Sequence, residues 1–106
     1  MSDITQARNA LTKRILEGAG HVSVSERRAA FCNSGVTEAV SSLVDKVARH
    51  AYEVTDEDIA AATASGLSED GIFEIVVCAA VGQASRQYET ALAALNAATD
   101  AAPGME

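Results

Sequence analysis

Apolar and polar positions alternate with helical spacing along most of this chain. Ile4, Ala7, Leu11 and Ile15 recur three and four residues apart, which predicts a helix from Asp3 to about Glu17. Ser2 or Asp3 can cap its start, and Gly18 and Gly20 stop it, leaving His21 in the following turn. The stretch "SVSERRAAF" reads as a short second helix. Ser23 and Glu26 have capping-box spacing, and Asn33, Ser34 and Gly35 supply turn chemistry at its end. A third helix is predicted from Val36 to about Tyr52. Val36, Val40, Leu43, Val44, Val47, Ala48 and Ala51 form its apolar face, with Glu38, Ser41, Ser42, Asp45, Lys46 and Arg49 opposite. Asp45 and Arg49 are four apart and can pair, for about 0.3–0.5 kcal/mol.

Thr55 opens the fourth helix. Its hydroxyl can accept from backbone N–H groups of the first turn, Asp58 lies three residues on, and Asp56, Glu57 and Asp58 meet the positive end of the helix dipole. Ile59 and a run of alanines carry the helix to Gly66. The fifth and longest helix starts at Ser68. Between Ile72 and Val81 only Glu74 is polar, so this segment is apolar nearly all round and calls for burial on every side. A chain of 106 residues has too little mass of its own to provide that cover, which predicts a second copy against it. Further on the apolar pattern narrows to Tyr88, Ala91, Leu92 and Leu95. The expected organisation is one helical domain over residues 1–98 and a frayed tail over 99–106, with no internal repeat.

Composition agrees with an all-α fold. Hydrophobic residues make up 48 %, much of it alanine, with 4 % aromatics and one proline. Alanine has the highest helix propensity, and strand-favouring residues are few. A formal charge of −7 argues against nucleic acid and against an anionic membrane as partners, because both need a basic face. The N-terminus lacks a signal pattern and no apolar run is long enough to span a bilayer, so the expected location is cytoplasmic. Cys32 and Cys78 form no Cys-x-x-Cys and read as free thiols. A redox pair between them requires Cα atoms within about 7 Å.

The candidate chemistry lies in "ARHAYEVTDED", where one helix hands over to the next. His50 and Tyr52 follow the third helix. A histidine there either caps the helix or, oriented by an acid such as Asp45, Glu53, Asp56 or Glu57, serves as a general base. Tyr52 either lies at the edge of the core or donates to a developing oxyanion. The candidate catalytic set is His50, Tyr52 and Glu57. Helix-start chemistry explains the three adjacent acids without a metal, and no cofactor is implied. Glu74, the lone acid of the apolar run, is expected to pair with a base such as Arg49 or Arg86 or to face a pocket.

The short helix ending "AATASGLSED", followed directly by "IFEIVVCAAVGQAS", resembles the carboxymuconolactone decarboxylase and alkylhydroperoxidase D family, over roughly Glu38 to Ala98. The resemblance implies an all-α fold and homo-oligomers from dimer to hexamer, assembled through these helices. The redox branch carries Cys-x-x-Cys and then a histidine four residues on. Counting back from Gly66, those positions hold Ala51, Val54 and Asp58, and a supporting glutamate falls next to Glu38. The decarboxylase branch keeps the histidine where this chain has Asp58. The resemblance thus implies the fold and withholds the mechanism, and the favoured reading is a protein without peroxidase chemistry that binds or transforms a small metabolite by cofactor-free acid–base chemistry. The alternatives are a non-catalytic oligomeric scaffold and, as the weakest, a thiol peroxidase using Cys32 and Cys78.

Overall fold

The computed structural model describes residues 2–100, and all the regular structure among them is helical. Five helices follow in order: α1 Ser2–Glu17, α2 Val24–Cys32, α3 Glu38–Arg49, α4 Asp56–Ala64 and α5 Glu69–Asp100. A single 3₁₀ turn, Ala51–Glu53, separates α3 from α4. The sixth expected segment, the tail, divides: Thr99 and Asp100 complete α5, and residues 101–106 lie outside the described residues.

The local signals act largely as their chemistry suggests. Ser23 Oγ accepts from the Glu26 N–H at 3.1 Å and starts α2. Asn33 ends it in the left-handed conformation, φ 50°, which asparagine tolerates better than most residues. Thr55 and Asp58 form a complete capping box at the start of α4. Gly66, at φ 103°, supplies the reversal before α5 that other side chains resist. Asp45 and Arg49 pair at 3.2 Å on exposed α3. The third helix is shorter than its apolar pattern. Val36 precedes it, Thr37 is its N-cap, and His50 ends it as the C-cap.

α5 is the spine. α2 and α3 pack on one side of it, α4 lies on α3, and α1 runs beside α2 and α5. The core joins Val40, Leu43 and Val44 of α3 to Ile75, Cys78 and Ala79 of α5, with Leu16, Val22, Ala30 and Ala62 closing it. Full burial of Leu43 or Ile75 contributes about 1.5–3 kcal/mol each. At thirty-two residues, α5 measures about 48 Å and outruns the body it supports. The molecule is accordingly elongated, 60 × 29 × 20 Å.

Two expected faces lie differently from their sequence pattern. In α1 it is Leu16 that is buried, while Ile4 and Leu11 of the predicted stripe remain 52 % and 51 % exposed. In α5 the apolar run is buried at Ile72, Ile75, Cys78 and Ala79, but Phe73 is 69 % exposed. Among the described residues, Phe73 stays largely uncovered on this side.

Candidate functional site

The junction between α3 and α4 is organised by Asp58. This side chain is buried, and its two oxygens take four donors. Ser42 Oγ donates to Oδ1 at 3.0 Å, and Lys46 Nζ reaches Oδ2 at 2.9 Å. The Thr55 N–H and Oγ1 donate to Oδ2 at 2.9 and 3.1 Å. Lys46, then the Thr55 N–H, hold the Asp58 carboxyl well below the usual carboxylate range. The group is an ionised acceptor with its lone pairs engaged. It ties α4 to α3, and it is poorly suited to take up a proton.

The three candidate catalytic residues do not join this network. The His50 backbone N–H donates to the Lys46 carbonyl, closing α3, and the imidazole makes no side-chain hydrogen bond among the described residues. The Tyr52 ring stands edge-on to it with centroids 6.0 Å apart, and Tyr52 is 83 % exposed. Glu57 points outward from the first turn of α4. Among the described residues no acid side chain hydrogen-bonds the imidazole, and in the single chain His50, Tyr52 and Glu57 are all exposed.

A second carboxylate hub lies on α5. Glu74 pairs with neither Arg49 nor Arg86. Its Oε1 and Oε2 accept from the His21 N–H at 2.9 and 2.8 Å, Oε1 accepts from the Val22 N–H at 2.9 Å, and Oε2 meets His21 Nδ1 at 2.9 Å. His21 Nε2 lies 3.8 Å from Asp70. The Glu74 hydrogen bond, with the charge of Asp70 behind it, raises the His21 pKa. Burial pushes the Glu74 carboxyl up, but the His21 and Val22 donors outweigh it and leave the group below its ordinary value. Gly20 makes this wrap possible, since a Cβ there would stand 2.7 Å from Glu74 Oε1. Arg86 instead donates to the Phe31 carbonyl at 2.6 Å.

Sequence reasoning also missed Arg27. Its guanidinium is buried and donates through Nη1 to the carbonyls of Ile15 and Gly18, at 3.2 and 2.7 Å, tying α2 to the end of α1. Its Nε is buried and has no hydrogen-bond partner among the described residues. The only sequence signal was an arginine in a short amphipathic helix, which ordinarily marks a solvated face. Both cysteines are free; Cys32 is exposed and Cys78 buried. Burial pushes the Cys78 thiol up, the opposite of what a thiolate nucleophile needs.

A cleft of about 420 Å³ lies between α2, α3 and the α4–α5 turn. Ser25, Glu26, Thr37 and Glu38 give it polar walls, and Leu67 and Ile75 its floor. Among the described residues, no group of three or more His, Cys, Asp and Glu side chains is placed to hold a metal ion, and no helix is long and apolar enough to cross a membrane. Comparison of the chain with protein-family models, with curated proteins and with solved structures found no match.

Proposed function

We propose that this chain is a carboxymuconolactone decarboxylase-like helical protein without peroxidase chemistry, and that it acts as a self-assembling module rather than through a His50-centred catalytic site. The observation that carries this reading is Phe73, 69 % exposed among apolar neighbours on α1, α4 and α5. A contiguous apolar surface of this kind on a small domain normally marks an interface. The four donors on Asp58 support the same reading, as does the exposed His50 imidazole, which no acid orients among the described residues. Light scattering at micromolar concentration is expected to give at least a dimer, and a monomer overturns the proposal.

The 420 Å³ cleft favours a second reading, in which the module also holds a small metabolite. Its volume lies in the range of ligand pockets, and Glu26 and Glu38 suit a ligand bearing hydroxyl or ammonium donors. Glu38 is also the residue next to which the resemblance places a supporting glutamate. Calorimetric or NMR titration with small polyols and amines tests this. Chemical-shift changes confined to residues 25–40 and 65–75 support it, and no binding at millimolar concentration overturns it.

A further inference from the structure

We propose that the face centred on Phe73 pairs with the same face of a second copy about a two-fold axis, with Arg14 of each protomer against Glu69 of its partner. This inference rests on the self-assembly reading and specifies its surface. Phe73 stands on the ridge between two shallow grooves. On its α4 side, a groove of about 540 Å³ is floored by Ile59, Ile72 and Val76 and edged by Glu69. On its α1 side, a groove of about 270 Å³ is floored by Leu11, Ile15 and Val77 and edged by Arg14. The apolar stripe of α1 continues that second groove through Ile4 and Ala7, both exposed.

The two edges carry opposite charge on opposite sides of the aromatic ridge. Arg14 and Glu69 are both exposed, and neither has an ion-pair partner among the described residues. A two-fold rotation about Phe73 exchanges the edges. The basic edge of one protomer then lies on the acidic edge of the other, twice, with the two Phe73 rings and their grooves at the centre. That is the self-complementarity an isologous interface requires, and a foreign partner would give no reason for it. It also puts an aromatic anchor at the centre and charges at the rim, the arrangement in which binding energy concentrates. Asp70 also edges the acidic groove, but it already faces His21, which leaves Glu69 as the free acid.

The test measures the dimer dissociation constant of the full chain by sedimentation, with circular dichroism confirming helicity for every variant. Phe73→Glu is expected to weaken the dimer at least about tenfold while the monomer stays folded. Arg14→Glu and Glu69→Arg are each expected to weaken it about fivefold, and the double variant to return to within about twofold of the wild type. These two positions are exposed, so the exchange reads out even where Phe73→Glu perturbs folding. An oligomer indifferent to Phe73→Glu overturns this face and leaves self-assembly standing. Charge exchange without recovery in the double variant overturns the two-fold pairing. A wild-type monomer overturns the face and the self-assembly reading together.

Discussion

The two sides of α5 show opposite answers to the same apolar sequence. On one side α2 crosses so closely that Gly82 has no room for a side chain. A Cβ there would lie 1.9 Å from the Phe31 carbonyl oxygen, and that same oxygen accepts from Arg86. On the other side Phe73 projects from the surface and is largely uncovered among the described residues. Helical periodicity is identical on both sides, so the pattern alone does not distinguish them. The small residue does: Gly82 marks the side where another backbone approaches, and the large aromatic marks the side that the described residues leave open.

Substitution on the closed side should therefore dominate folding. Gly82→Ala drives a methyl group into backbone that cannot yield as a flexible side chain would. Chemical denaturation is expected to show a loss of about 3 kcal/mol or more, or no folded protein at all. If Gly82→Ala folds with wild-type stability, the close crossing is not a feature of the molecule.

Glu74 lies between the two sides, and its removal should have an intermediate effect. Glu74→Ala strips the acceptor from the His21 and Val22 N–H groups and frees the α1–α2 loop, for an expected loss of about 1.5 kcal/mol. The pH dependence has a definite sign. Glu74 is depressed, so its contribution is present above the ordinary carboxylate range and fades as acid protonates it. His21 is raised, so its contribution is complete below its unfolded value near 6.5 and fades as pH rises through the folded value. The contact is strongest in the weakly acidic window between the two. Wild type minus Glu74→Ala stability, measured by melting from pH 3 to 9, should peak there. A flat difference would mean that His21 and Glu74 are not coupled.

Asp58 should behave differently from Glu74, because its charged partner is a lysine and not a histidine. Its carboxyl is depressed, so the stability it contributes holds above the ordinary carboxylate range and is lost only as pH falls below it. Asp58→Asn should remove that acid-side dependence and leave the alkaline limb unchanged. An unaltered acid limb would show that the capping box does not set it. The smallest effect belongs to His50. His50→Gln is expected to change stability by no more than about 1 kcal/mol and to leave the oligomer intact, since its hydrogen bonds among the described residues are made by the backbone and not by the imidazole. Loss of any measured binding in this variant would restore the histidine as a functional group.

The contrast between Asp58 and Glu74 shows which parts of the fold were legible. The Thr55–Asp58 capping box spans three residues, and spacing alone reveals it. The Glu74 contacts span fifty-two and fifty-three residues, and no local rule brings His21 to α5. Helix order and the buried face of α3 were readable for the same reason as the capping box: Val40, Leu43, Val44 and Ala48 repeat with the helix. The stripe of α1 was readable as a stripe but not as an uncovered one, because periodicity records amphipathicity and not its occupant. At the candidate site, residue type suggested His50 and Tyr52, yet catalysis depends on enclosure and orientation, which arise only from tertiary placement. Arg27 escaped for the related reason that its acceptors are main-chain carbonyls, which carry no residue-type signal.

The length of α5 makes it two thermodynamic units in one continuous rod. Between Ile72 and Gly82 one face of it is buried against α2 and α3, and the amides of these packed turns are expected to exchange chiefly when the domain opens. From Ala91 to Asp100 every residue except Leu92 is exposed, and the helix persists by alanine-rich propagation from the packed turns behind it. Deuterium uptake should consequently fall along a gradient inside a single helix, fast at Asp100 and slowing towards Arg86. Truncation at Ala91 should leave the protection of residues 72–82 almost unchanged.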